Sequence, residues 1–357
     1  MVEAMLWLSG IEGLGPKKIL ELAPDQAKLE FLWNKSLNDI MEAFNIDAKF
    51  ARKLINTRVK NDLHEKIHLI KGKGIHLISY FDERYPYQLK EIHDPPVLLF
   101  CIGNMKLLET EFGSMLGVVG TRKPTPYGVK MTESITKELA SAGVTIVSGL
   151  ARGIDAIAHN SCVESYGKTI AVLGCGCDVV YPKRNRYIYE GILSNGGLIM
   201  SEFLPGTQPL RHHFPKRNRI ISGLSAGVLV MEAGENSGSL ITAKYALDQG
   251  RFIMTLPGNV SNPMAKGSFK LLKEGAVPIG AAQDVLDELE IMPPCPILSS
   301  NQYDTSLEKA LAMIEPATAD QISALLGEDV YDIMLQLTIL EMAGKIKRMP
   351  GGLYLTV

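Results

Sequence analysis

Residues 116–159 read LGVVGTRKPTPYGVKMTESITKELASAGVTIVSGLARGIDAIAH. The stretch opens on an apolar run, Leu116–Val119, breaks at Gly120, passes through the amphipathic segment MTESITKELASAG, and returns to a second apolar run, Val144–Val147. A strand that is apolar on both faces has to be covered on both, and the intervening segment has helical spacing, so the predicted unit is strand–helix–strand with parallel strands. The pattern continues outward through Ile170–Leu173, Leu198–Met200, Gly227–Met231 and Phe252–Leu256, with helical segments such as GSLITAKYALDQG between them. The fold class expected is α/β, an extended Rossmann-like, doubly wound parallel sheet over residues 73–290.

Two smaller domains are expected to flank it. Residues 1–72 carry apolar positions at helical spacing, and SGIEGLGPKKI (9–19) has the Gly13-Leu14-Gly15 hairpin, with Pro16 opening a helix, of a helix-hairpin-helix or SAM-like domain. The stretch IHLISYFDERYPYQLKEIHDPPVLLFCIG (75–103) is interrupted by Pro86, Pro95 and Pro96 and reads as a strand, a turn and another strand. IMPPCPILSSNQ (291–302) reads as a linker, and 303–357 as three short helices followed by a hairpin turning at Pro350-Gly351-Gly352, a winged-helix-like domain. That last segment holds eight acidic and four basic residues, and its third helix, about Val330–Ala343, carries Asp332 and Glu341 with only Gln336 as an amide. A helix that reads duplex sequence brings arginine, lysine or amides to the groove, so a protein-contact or regulatory role is expected here instead.

The chain has 357 residues and a formal net charge of −2, so any nucleic-acid surface must be a local concentration of cations. Of the five cysteines only Cys175 and Cys177 are close in sequence, and no CxxC pairs with a second CxxC or HxxxH, so no metal is expected. MVEAMLWLSGIEGLG at the start has no basic n-region and no long apolar run, and no segment is apolar over a bilayer's thickness. A reducing cytoplasm and no membrane contact are therefore expected.

The ends of the predicted strands are rich in glycine. Gly120, Thr121 and Arg122 follow the first strand; Ser148, Gly149, Arg152 and Gly153 the second; Gly174, Gly176, Tyr181 and Lys183 the third; Gly234, Ser237, Gly238 and Ser239 the fifth. In an open parallel sheet these ends line one crevice, and helix N-termini there offer N–H groups to an anion. No loop spells G-x-G-x-x-G followed by a ribose-binding acid, and none has a P-loop lysine, so neither a dinucleotide nor any other cofactor is expected. Further on, RHHFPKRNRIISGLS (211–225) packs Arg211, Lys216, Arg217 and Arg219 around Phe214, with Asn218 among them. Cations interleaved with an aromatic suit a single strand, whose phosphates they neutralise and whose bases the ring can stack on. Asp155 and His159, one helical turn apart, have no third ligand in sight and read as packing beside the crevice.

Taken together, these loops resemble the DprA/Smf family. The match rests on G-T-R at 120–122, S-G-x-A-x-G-I-D-x-x-A-H at 148–159 and G-x-G-x-D-x-x-Y-P at 174–182. It continues through S-E at 201–202, F-P-x-R-N-R-I-I-S-G-L-S at 214–225, S-G-S-L-I-T-A at 237–243 and P-G at 257–258. The resemblance implies a protein that binds single-stranded DNA without strong sequence preference. It further implies dimerisation through the Rossmann-like domain and loading of RecA recombinase onto incoming DNA during natural transformation. Carried onto this chain, the implied DNA contacts are Arg122, Lys183, Phe214, Lys216, Arg217, Asn218 and Arg219, with Ser148 and Gly149 at the pocket floor, and no catalytic constellation. The alternative is a nucleotide N-glycosidase of the LOG-like Rossmann group with Glu202 or Glu232 as acid or nucleophile, although the P-G-G-x-G-T-x-x-E signature of that group is missing after Pro257-Gly258.

Overall fold

The structure is a computed structural model that describes residues 1–291, 306–342 and 345–356. From residue 292 on, the expected linker lies outside the described residues, as does Cys295. The chain forms two compact units, Met1–Pro293 and Pro294–Val357.

In the first unit the strands are β1 (His76–Ser79), β2 (Leu98–Gly103), β3 (Met115–Val119), β4 (Thr145–Ser148), β5 (Thr169–Val172), β6 (Leu198–Ser201), β7 (Gly227–Val230), β8 (Phe252–Thr255) and β9 (Val277–Pro278). They form one sheet in the order β1-β2-β6-β5-β4-β3-β7-β8-β9. Every pairing from β6 through β9 is parallel, as the unbroken apolar runs require. The sheet is nevertheless mixed: β1 pairs antiparallel with β2, and β2 antiparallel with β6. The expected strand–turn–strand over 75–103 supplies these two strands, with a short helix, Tyr87–Lys90, inside the connection.

Side chains alternate across the sheet, and each face buries its own set. On one face of the antiparallel edge, Phe100, Ala171 and Ile199 join Leu6, Leu29, Ile40 and Leu54 in a single cluster, so the six helices between Val2 and Gly72 close that side. Further along this face Leu116, Val118, Ile146 and Leu229 pack under the helices Pro126–Ser141 and Ile154–Glu164. On the opposite face Leu99, Cys101, Val172, Met200 and Val230 meet Ile220, Ile221 and Leu224 of the helix His213–Leu224 and Ala243 and Ala246 of Ser239–Asp248.

The second unit has helices Ser306–Ile314, Ala319–Leu326 and Val330–Met342, with β10 (Ala317–Thr318), β11 (Ile346–Met349) and β12 (Leu353–Thr356) in the order β10-β12-β11. Gly351 and Gly352, both at positive φ, make the turn between the last two strands. Leu311, Ile322, Ile333, Leu337 and Tyr354 form its core.

Asp155 and His159 brace the loop that leaves β4. The Gly149 N–H donates to the Asp155 carboxylate at 3.2 Å, and the Leu150 N–H, on a residue held at φ 53°, donates to His159 Nε2 at 3.3 Å. The other ring nitrogen lies 2.7 Å from Thr169 Oγ1, whose hydroxyl donates to the Ile146 carbonyl. Nδ1 is therefore the protonated nitrogen, and burial pushes the His159 pKa down to about 3. Below the ordinary value of 6.5 the unfolded chain binds a proton here that the folded chain refuses, so this contribution to stability is complete above 6.5 and is lost as pH falls toward 3. His159→Gln is expected to be less stable than wild type at neutral pH. Its deficit should shrink by roughly 1.4 kcal/mol for each pH unit of acidification below 6.5. Denaturant midpoints across pH check this, and a constant deficit would mean that the imidazole titrates normally.

Candidate nucleic-acid interface

The order of strands reverses at β3, which has β4 on one side and β7 on the other. The chain leaving β3 enters the helix Pro126–Ser141 on one face, and the chain leaving β7 enters Ser239–Asp248 on the opposite face. Their loops part, and a crevice of about 990 Å³ opens at the carboxyl ends of the strands. Gly120, Thr121, Arg122, Gly234, Ser237 and Gly238 all line it, as the strand-end glycines led us to expect.

The loop carrying Arg122 is braced at both ends by one residue. The Thr121 N–H donates to the Glu232 carbonyl at 2.7 Å. The buried Glu232 carboxylate accepts the Thr125 N–H at 2.8 Å and the Thr125 hydroxyl at 2.6 Å. Thr125 in turn caps its helix by accepting the Gly128 N–H at 3.1 Å. A Cβ on Gly128 would run into the Glu232 carboxylate, so a larger residue there would displace the carboxylate from Thr125. Arg122 is thus an exposed cation on a short, pinned loop.

The basic segment is helical from His213, and the helix sorts its cations. Phe214 and Asn218, one turn apart, line the crevice, with the exposed Arg211 just before them. Two of the expected contacts are corrected. Arg219 is 5% exposed, its guanidinium held by both Glu202 oxygens at 2.9 and 2.7 Å and by the Asp94 carbonyl at 2.8 Å. Burial opposes its charge, but Glu202, with Asp94 behind it, more than offsets this and holds the pKa above the ordinary value. Arg217 is 3% exposed and lies in the crevice floor, donating to the carbonyls of Gly149 (2.6 Å) and Val172. Burial pulls its pKa down and the nearby Asp155 partly restores it. Neither guanidinium is an exposed phosphate ligand.

Ser148 and Gly149 are corrected for the same reason. The buried Ser148 hydroxyl donates to the Val118 carbonyl at 2.6 Å, and the space beside Gly149 is filled by the Arg217 guanidinium, not left open for a ligand. Gly174 is likewise buried and makes room for Phe214, whose ring a Cβ there would approach to 2.9 Å. Lys183 and Lys216 are exposed but stand outside the crevice wall, Lys183 on the turn Lys183–Asn185 that follows Tyr181.

Phe214 is the centre of what remains. The Arg122 guanidinium lies 5.7 Å from its ring centroid, and the exposed Tyr181 ring lies 5.7 Å away on an inclined plane. The Ser237 and Ser239 hydroxyls, 2.7 Å apart, mark the start of the helix Ser239–Asp248. Lys266, on the wall with them, was missed by the sequence reading. Its signal was its place after β8, in the same row of strand ends as Gly120 and Gly234. The carboxylates of the glycosidase alternative, Glu202 and Glu232, are the ones already engaged by Arg219 and Thr125. Burial raises the thiol pKa of Cys175 to about 11 and of Cys177 to about 12, which disfavours the thiolate at neutral pH.

Comparison with known proteins gives the family. The family model described as DNA recombination-mediator protein A matches residues 76–290, and that of the DprA winged helix domain matches residues 307–352. A protein named Smf from Synechocystis sp. is 35% identical over 393 aligned residues, covering 99% of this chain and 98% of that protein. The DNA processing protein DprA of Streptococcus pneumoniae is 46% identical over 212 residues, 59% of this chain and 73% of its own length. The X-ray structure of that organism's DNA processing protein A superposes with a TM-score of 0.69 at 36% identity, covering 81% of this chain and 98% of its own. DNA processing protein A from Helicobacter pylori, described for its single-stranded DNA binding mode, superposes with a TM-score of 0.55 at 32% identity, covering 60% of this chain and 95% of its own. The chain belongs to the DNA recombination-mediator protein A family, the DprA/Smf proteins.

Proposed function

We propose that this protein binds single-stranded DNA in the crevice at the β3/β7 strand ends and acts by binding, not by a covalent step. The observation that carries the reading is the cluster of Arg122, Phe214 and Tyr181 at the crevice mouth. An aromatic platform beside a guanidinium can stack a base and neutralise the adjoining phosphate, and it is indifferent to base identity. Arg211 and Lys266 supply further exposed positive charge along the wall. The relative whose printed description concerns single-stranded DNA binding supports the same reading.

On this basis the role is DNA processing during uptake and natural transformation, in the cytoplasm, with a homodimer joined through the Rossmann-like unit and RecA loaded onto the bound strand. Exposed acids on the third helix of the winged-helix unit, Asp332 and Glu341, repel phosphate, and Tyr331 next to Asp332 is 79% exposed. That unit therefore contacts protein and does not read duplex sequence.

Titrating a labelled single strand across a salt series tests the interface. Arg122→Ala is expected to weaken binding and to reduce the slope of log K against log salt by about 0.7, the share of one single-strand phosphate. Phe214→Ala should weaken binding with the slope unchanged, because stacking releases no counterion. Wild-type affinity and slope in both folded variants would rule this interface out.

Glu232 gives an independent check on the loop. Glu232→Ala lies outside the crevice wall but removes both acceptors that hold Thr125. It is expected to weaken binding by a similar factor to Arg122→Ala, and the double variant to be little worse than either alone. Additive losses would mean that Glu232 does not act through Arg122.

A further inference from the structure

Arg122 has a second side. It lines the crevice described above and also a smaller one of about 450 Å³, and it is the one residue common to both walls. The smaller crevice runs between the 122–124 loop, the helix Ile154–Glu164 and the chain that follows Tyr181. Its volume falls within the range of about 300–1,000 Å³ that small-ligand pockets occupy.

Its lining is mixed in a way that suits a nucleoside better than a bare anion. Pro124, Ala156 and Ile157 give it apolar surface, and Tyr187, 64% exposed, offers a free aromatic ring. Arg184 is an exposed cation on the wall, while Glu133 is an exposed carboxylate. A carboxylate repels a phosphate held deep in the pocket but accepts from the N–H groups of a base. The rim is built, since Asn185 is buried and its amide donates to the Leu150 and Ala151 carbonyls at 3.0 and 3.2 Å. Gly153, at φ 76°, lets the backbone pass so close to the Thr121 carbonyl that no side chain fits.

We infer that this smaller crevice is a second nucleotide subsite for the same strand. The strand crosses Arg122, which takes the phosphate between two nucleotides. One base stacks at Phe214 in the larger crevice, and its neighbour enters beside Tyr187, with Arg184 on the next phosphate. The inference rests on the single-stranded DNA reading and adds to it a direction for the strand, from the β3/β7 strand ends toward the 181–187 segment.

The test is a length series of single-stranded oligonucleotides, from a few nucleotides upward, titrated against the full chain and against the double variant Arg184→Ala/Tyr187→Ala. Both side chains are exposed, and circular dichroism and thermal unfolding of the variant are measured first as the check on its fold. The variant is expected to match wild type on the shortest oligonucleotides and to bind longer ones about tenfold more weakly, on the order of one stacked base. Equal affinity at every length overturns the subsite, as does a uniform loss at every length, which would place both residues in the first crevice. A wild-type protein that binds no single strand at all overturns the underlying reading together with this one.

Discussion

The reversal of strand order at β3 is the constraint on which the site depends. Parallel strands joined by right-handed crossovers must send their helices to one face while the chain winds one way, and to the other once it returns past its starting strand. Strands β4, β5 and β6 lie on one side of β3, and β7, β8 and β9 on the other. At that point two successive strand ends cannot be covered by the same helix, and a gap between their loops is geometrically required. The hydrogen bond from Thr121 to the Glu232 carbonyl closes the root of the gap, and the crevice opens above it.

The cations of the basic segment show what burial does to a charge run. A guanidinium leaves water only if other groups replace the hydration shell, and the loss is several kcal/mol when they do not. Arg219 is compensated by two carboxylates, Glu202 and Asp94, and ties the end of β6 to the loop before β2. Arg217 is compensated by carbonyls from the ends of β4 and β5, with Asp155 nearby. These two arginines rigidify the platform on which Phe214 and Asn218 stand. The exposed cations on the crevice wall are instead those on loops and at helix starts, Arg122, Arg211 and Lys266, where the charge keeps its hydration. A chain with a net charge of −2 can therefore still present a positive crevice.

The mixed edge of the sheet has a packing logic of its own. β2 runs antiparallel to both of its neighbours, β1 and β6, and its alternation of Leu98 and Phe100 against Leu99 and Cys101 divides it between two cores. The N-terminal helices cover the first set, so that face of the sheet lies under helices built from residues 2–72. The winged-helix unit has its own core and an acidic third helix, and it shares neither the chemistry nor the hydrophobic cluster of the sheet.

Sequence alone was sufficient for the parallel part of the sheet, because periodicity is a local signal. Each apolar run from Leu116 to Leu256 became a strand within a residue or two, and the glycines after β3 and β7 did line the crevice. That Arg122 and Phe214 would lie at the crevice was legible because a cation follows a strand end and an aromatic interrupts a basic run. The reversed direction of β2 was not legible, since a strand's apolar pattern is the same read either way. Nor was the fate of Ser148, Gly149, Arg217 and Arg219. A helical period sets 217 beside 213 and 221, but only the tertiary structure supplies the carbonyls and carboxylates that allow a charge to sit there. Which cations face a ligand and which hold the fold together was decided by partners distant in sequence, because desolvation is a property of the packed neighbourhood and not of the residue.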